Sequence, residues 1–126
     1  MLLDRIEPAS ENPDVLIVGA GAVGLTMGVA LARAGRKVLI CEAGKAALDP
    51  NWQSRNSVVQ TGRSHAGALE GRYRGLGGTT RLWGGQLMPF TPGDLAPNVA
   101  AGKPGWPIAH AELMQSIDAV LQLTSV

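Results

Sequence analysis

The chain has 126 residues, which is enough for one small domain. Apolar residues make up 45% of it, so the composition is that of a globular rather than a disordered protein. The net charge of +1 gives no case for a nucleic-acid or acidic partner, and the single cysteine excludes a disulfide framework.

The first recognisable element is an unbroken apolar run, Val15 to Val18, which is typical of a strand buried on both faces of a parallel sheet. A GxGxxG fingerprint follows at once, formed by Gly19, Gly21 and Gly24. The first glycine permits a tight turn, the second lets the backbone approach a pyrophosphate, and the third lets a helix pack closely on the sheet. The first helical turn, beginning at Ala22, then presents its N–H groups to the phosphates.

The elements that follow the fingerprint complete a βαβ half-unit over residues 14–44. A helix is predicted from Ala22 to Ala34, with Gly35 as its stop, and a second strand from Lys37 to Cys41. Glu42 ends this strand, where a carboxylate accepts hydrogen bonds from an adenosine ribose and repels a 2′-phosphate, and Ala43 is assigned to the same site. The order of these elements predicts a dinucleotide site; the alternative is a βα turn that holds no ligand.

A second glycine-rich stretch, GLGGTTRLWGGQ, spans residues 75–86. Glycine at this density indicates backbone that approaches another group closely or that adopts positive φ angles. The sequence Gly77 to Thr80 is expected to open a short helix whose N–H groups meet a phosphate or a ring edge of a cofactor. The alternative is a flexible surface loop. The candidate cofactor contacts are Gly77, Gly78, Thr79, Thr80, Trp83 and Gly84.

The rest of the chain carries few chemical signals. Residues 45–58 are predicted to form a loop, residues 89–107 a proline-rich irregular connection, and residues 109–123 a helix. Neither His65 nor His110 stands in a catalytic or metal-binding pattern, so no catalytic residue and no metal ligand is assigned. Residues 1–13 have no apolar core of a signal peptide, and no run reaches membrane-spanning length, so a cytoplasmic location is expected.

Four segments together resemble the amino-terminal part of the glucose–methanol–choline (GMC) family of flavin oxidoreductases, in particular the bacterial branch that is similar to pyranose oxidases. They are DVLIVGAGAVGL, CEAG, GLGGTTRLWGGQLMPF and the GWPI that begins at Gly105. The resemblance extends over about residues 14–113.

The resemblance implies FAD as the cofactor and hydride transfer from a CH–OH group of a sugar or alcohol to flavin N5. It places the pyrophosphate on the GxGxxG glycines, the adenosine ribose on Glu42, and the ribityl and isoalloxazine groups along the second stretch. Some relatives bind the flavin covalently through a histidine at the position of Leu82, so the FAD is expected to be non-covalent.

The predicted fold class is α/β, a partial doubly wound (Rossmann-like) domain with an incomplete sheet. Two strands leave sheet faces and edges open, so the chain is interpreted as an amino-terminal fragment that needs its carboxyl-terminal part or a second chain and is inactive alone. Two alternatives stay open. One is an NAD-binding dehydrogenase domain, which assigns no role to residues 75–86; the other is a non-catalytic assembly piece of a split enzyme.

Overall fold

The computed structural model describes residues 12–68 and 70–124 and divides the chain into two compact units. The first unit extends to Trp83, and the second begins at Gly84. The strands and α-helices are β1 (Val15–Val18), α1 (Ala22–Arg33), β2 (Val38–Cys41), α2 (Pro50–Gln53), α3 (Pro92–Leu95), α4 (His110–Met114) and α5 (Ile117–Thr124).

The first unit is built on a βαβ arrangement. Strands β1 and β2 pair in parallel, with Val15 opposite Val38 and Val18 opposite Cys41. The crossover between them is helix α1, which is the connection that two parallel strands require. The chain is therefore α/β with a partial Rossmann-like fold, as the sequence predicts.

Helix α1 packs against the sheet through its one buried residue, Gly28. A Cβ placed on this glycine would lie 2.7 Å from Ile40 Cδ1 and 3.7 Å from Ile17 Cδ1, so the absence of a side chain sets the short distance between helix and sheet. The helix ends at Arg33, and Gly35 follows in the left-handed region with a φ of 79°. Since only glycine adopts this conformation at no steric cost, the predicted stop is confirmed, with Ala34 as the C-cap residue.

The second face of β1 is open, which corrects the prediction of a strand buried on both faces. Ile17 is half-buried on the side of α1, whereas Leu16 and Val18 are 57% and 85% exposed. Among the described residues, β2 is the only strand that pairs with β1. An apolar run predicts two covered faces because parallel sheets in complete domains have helices on both sides. Here the described part of the chain supplies a layer on one side.

The segment between β2 and the second glycine stretch contains more helix than predicted. Residues 45–58 include α2, whose N-cap Asp49 accepts a hydrogen bond from the Asn51 N–H (2.9 Å), and a 3₁₀ helix over Ser54–Asn56. The sequence signal was an Asp-Pro pair, which places a capping residue directly before a proline at the first helical position. Further along, Ala66 and Gly67 form a turn.

In the second unit, the observed helices differ from both predicted elements, the irregular connection and the carboxyl-terminal helix. Helix α3 and a 3₁₀ helix, Val99–Ala101, lie inside the connection that was predicted to be irregular. The single carboxyl-terminal helix predicted over residues 109–123 is two helices, α4 and α5. The Ser116 N–H donates to the Leu113 carbonyl (3.1 Å), a tighter i→i−3 bond that interrupts the α-helical pattern between them.

Helix α3 provides a pH-dependent prediction. The backbone N–H and the hydroxyl of Thr91 both donate to Asp94 Oδ2, at 2.7 and 2.8 Å. These two donors hold the pKa of the Asp94 carboxyl below its ordinary value. Because the folded-state pKa is lowered, the stabilisation is present above the ordinary carboxyl pKa and is lost as the pH falls through the lowered one. An NMR titration should show Asp94 and the Thr91 amide changing together at this lowered midpoint. In Thr91→Val, the midpoint should move up toward the ordinary value.

No helix among residues 12–68 and 70–124 combines the length and the apolar character needed to cross a membrane.

Candidate functional site

The candidate site lies at the carboxyl ends of β1 and β2, where ligands of open parallel sheets bind. Three segments meet there: the glycine turn after β1, the residues after β2, and the beginning of the second glycine stretch. All three belong to the first unit.

The structure explains the glycine at each position of the fingerprint differently. Gly19 adopts a φ of 99°, which a side chain would strain. Gly24 faces the Gly19 carbonyl oxygen so closely that an added Cβ would overlap it, and the same Cβ would lie 3.3 Å from Ile17 Cγ2. Gly21 has neither reason: its φ is −78° and its ψ −175°, and beyond its neighbours in the chain no atom of the described residues lies within 4 Å of an added Cβ. The protein's own backbone and packing therefore do not explain a glycine at position 21.

Gly21 is the N-cap residue of helix α1, so the open space beside it adjoins the amino terminus of this helix. Helix α1 is 12 residues long. The N–H groups of Val23 and Gly24, in its first turn, have no hydrogen-bond partner among the described residues. The first turn also lacks an acidic side chain, so the positive end of the helix dipole is not neutralised there. Free N–H donors beside an open glycine provide the environment that a phosphate requires.

Glu42 connects the ends of both strands. The Ala20 N–H donates to Glu42 Oε2 (2.8 Å), and the Gly44 N–H donates to Glu42 Oε1 (2.7 Å). The carboxylate is half-buried, and Ala20 is 2% exposed. Glu42 therefore fixes the glycine turn and the turn after β2 in relation to each other. Sequence reasoning placed this carboxylate at the site but not its bonds to the backbone.

The second glycine stretch docks on both of these turns. The Gly77 N–H donates to the Ala20 carbonyl (2.8 Å), and the Leu76 N–H donates to the Lys45 carbonyl (3.1 Å). Gly75 is buried, and an added Cβ on Gly44 would overlap its backbone nitrogen. Residues 75–77 are therefore packed structure of the first unit, so the alternative of a flexible surface loop does not hold for these three residues.

Residues Gly78–Leu82 form a 3₁₀ helix, which confirms the predicted short helix. It is preceded by Gly77 with a φ of 90°, and the Thr80 hydroxyl donates to the Gly77 carbonyl (2.5 Å). An added Cβ on Gly78 would lie 3.1 Å from Gly21 Cα, so the two glycine stretches approach each other directly. The Thr79 hydroxyl accepts a hydrogen bond from the Tyr73 N–H (3.2 Å) and orders the chain that leads into the helix.

The structure does not place every predicted residue at these strand ends. Ala22 and Ala43 adjoin the turns after β1 and β2, but Trp83 is the last residue of the first unit and Gly84 belongs to the second. The His65 backbone N–H donates to Gln60 Oε1 (2.7 Å), and His110 Nε2 lies 2.7 Å from the Phe90 carbonyl oxygen. Within the described part of the chain, no group of three or more His, Cys, Asp or Glu side chains is placed to hold a metal ion.

Three backbone groups of the site were missed by sequence reasoning: the Ala20 peptide, Gly44 and Lys45. Gly44 alone had a usable signal, since a glycine in the turn that follows a strand indicates a close backbone approach. The other two act only through their main chain, for which the side-chain identity gives no information.

A prediction follows for the carboxylate that joins the turns. Glu42→Ala removes the acceptor of two backbone N–H groups, and hydrogen bonds to a charged group contribute about 1.5–3 kcal/mol each. Water can reach the half-buried site in part, so we expect the free energy of unfolding to fall by about 2 kcal/mol in total. Urea denaturation measures this change. Glu112→Ala, at an exposed position of the second unit, is the control and should change stability by less than about 0.5 kcal/mol.

Comparison with protein families shows a similarity for part of the chain. The family model "Ketopantoate reductase PanE/ApbA" matches residues 15–71, less than half of the chain. The matched residues comprise β1, α1, β2 and the segment that follows, up to the second glycine stretch. Neither the comparison with curated proteins nor that with solved structures gave a match.

This similarity corrects the sequence-based assignment. The match is to a family of NADPH-dependent reductases and not to the GMC flavin oxidoreductases, so the predictions of GMC membership, an FAD cofactor and CH–OH oxidation by a flavin were wrong. The physical reason is that FAD and the nicotinamide dinucleotides share an adenosine diphosphate half. A GxGxxG turn followed by an acid after the second strand recognises that half and gives no information on the ring attached to it.

Proposed function

We propose that the first unit binds the adenosine diphosphate half of a nicotinamide dinucleotide, as part of an NAD(P)-dependent oxidoreductase. The observation that carries this proposal is Gly21, because neither its backbone angles nor any neighbouring atom among residues 12–68 and 70–124 accounts for the missing side chain. A pyrophosphate that approaches the backbone accounts for it. The similarity of residues 15–71 to a reductase family supports the same class of cofactor.

Each group at the site has a proposed role in binding the cofactor. The N–H groups of Val23 and Gly24 donate to the pyrophosphate, and the α1 dipole favours its negative charge. Glu42 accepts from the adenosine ribose through the lone pairs that its two backbone bonds leave free. The docked stretch, with Gly77 and Gly78, closes the side of the glycine turn that the ligand does not occupy. The bound nicotinamide supplies or accepts a hydride.

The reaction class rests on the matched family alone. Its name describes reduction of a keto group, and we propose carbonyl reduction as the chemistry in which this dinucleotide takes part. The His65 backbone N–H donates to Gln60 Oε1, and His110 Nε2 lies against the Phe90 carbonyl oxygen in the second unit. We therefore assign no residue of the described chain as the proton donor.

Titration calorimetry of the purified chain with NADH, NADPH and ADP-ribose tests the proposal. At least one of the intact dinucleotides should bind, and ADP-ribose should retain most of the affinity because the site contacts the adenosine half. Absence of binding by all three would reject the proposed function.

The open face of β1 favours a second, structural role. We propose that further polypeptide covers Leu16 and Val18 and pairs with the edge of β1 that no described strand occupies, because an apolar strand exposed in this way promotes association. Light scattering after size-exclusion chromatography should show self-association or a mixed complex. A monodisperse monomer that binds no hydrophobic dye would reject this role.

A further inference from the structure

We infer that Glu42 makes the site selective for NAD(H) over NADP(H), which sets this chain apart from the NADPH-dependent family that it matches. The inference rests on the proposed function, because it names the form of the cofactor that the same site takes. The two forms differ by one phosphate on the 2′-oxygen of the adenosine ribose, at the position that the residue ending β2 faces.

The Glu42 carboxylate is fixed before any ligand binds. Both of its oxygens accept backbone N–H groups, at 2.8 Å from Ala20 and 2.7 Å from Gly44. Two such donors hold the carboxylate in one rotamer. Each oxygen retains a further lone pair, which a ribose 2′- or 3′-hydroxyl can use by donating. A 2′-phosphate has no proton to donate at this position and carries the same charge sign.

The carboxylate also has no simple way to retract from a phosphate. The turn that carries it is covered by the second glycine stretch: the Leu76 N–H donates to the Lys45 carbonyl (3.1 Å), and Gly44 is packed against the backbone of Gly75. Movement of Glu42 would leave the Ala20 N–H, in a residue that is 2% exposed, without its acceptor. An unpaired buried donor is costly, so the acid stays where it is.

Two cations reach the same turn, but both are bonded to protein groups. Lys45 Nζ lies 2.8 Å from Asp49 Oδ2 in an ion pair. The Arg81 guanidinium donates to the Ala46 carbonyl and lies over the Tyr73 ring, 5.6 Å from its centroid. A 2′-phosphate would have to draw Lys45 away from the Asp49 carboxylate, or Arg81 away from the Ala46 carbonyl and the Tyr73 ring, before either cation could pair with it.

The experiment measures dissociation constants for NADH and NADPH by energy transfer from the protein's tryptophans to the reduced nicotinamide. We expect NADH to bind at least about tenfold more tightly than NADPH at low ionic strength. The difference should shrink as salt is raised, because repulsion between the carboxylate and the phosphate is screened while the ribose hydrogen bonds are not. This salt series on the unmodified chain tests the inference without any variant.

The matched variants are Glu42→Gln and Glu70→Gln, which remove the same charge at the site and at an exposed position of the first unit. Glu42→Gln should lower the NADH preference at least about fivefold, and Glu70→Gln should leave it unchanged. Equal or tighter binding of NADPH by the unmodified chain, or an unchanged preference in Glu42→Gln, would overturn the inference while dinucleotide binding stands. Failure of both nucleotides to bind would reject the proposed function and the inference with it.

Discussion

Replacement of Gly21 by valine is expected to abolish dinucleotide binding and to leave the fold intact. In the part of the chain that the structure describes, no atom beyond the adjacent residues lies within 4 Å of an added Cβ at this position, and the backbone angles of −78° and −175° are accessible to any residue. The branched side chain then occupies the space that we assign to the pyrophosphate. The dissociation constant should rise by at least about 100-fold, or ~2.8 kcal/mol.

The measurement has two parts, because loss of binding counts only if the protein remains folded. Titration with NADH gives the affinity, and urea denaturation gives the free energy of unfolding. The second quantity should change by no more than about 1 kcal/mol, since valine at an N-cap is less favourable than glycine. If Gly21→Val binds NADH as tightly as the unmodified chain, Gly21 is not part of the site.

Replacement of Gly24 by alanine is expected to lower the free energy of unfolding, the quantity that Gly21→Val should leave nearly unchanged. An added Cβ here overlaps the Gly19 carbonyl oxygen and comes within 3.3 Å of Ile17 Cγ2. Both the oxygen and the helix backbone are held in place, so α1 has to move away from β1. Overpacking of this kind costs about 3 kcal/mol, a large part of the stability of a small domain.

Urea denaturation of Gly24→Ala, with Gly21→Ala as the matched control, measures this effect. The two substitutions add the same methyl group three residues apart in the same turn, and only the first meets protein atoms. Equal stability of the two variants would show that the packing of α1 on β1 is looser than the structure indicates. The two positions therefore distinguish a glycine that the ligand requires from a glycine that the packing of α1 requires.

Local sequence was sufficient for the βαβ half-unit. The positions of β1, α1 and β2 followed from two apolar runs, three spaced glycines and a terminating glycine. Each of these signals acts over a few neighbouring residues. The extent of α1 was correct to one residue, since the Ala34-Gly35 end is a conformational property of glycine itself. The same local signals gave no access to the identity of the ring attached to the adenosine diphosphate, and there the flavin assignment was wrong.

The sequence by itself determined the strand–glycine–helix–strand–acid order, and with it the fold class and the position of Glu42. Tertiary structure alone decided how these parts are joined. It placed Gly77 on the Ala20 carbonyl, both Glu42 oxygens on backbone N–H groups, and Gly44 against Gly75. Apart from the local bond between Gly44 and Glu42, these contacts join segments far apart in the chain, and each has a main-chain group on at least one side. Since every residue but proline carries the same N–H and C=O, side-chain identity gives no direct signal for such pairings. The exposure of Val18 was hidden for a related reason, because a run of apolar letters is the same whether one face or both are covered.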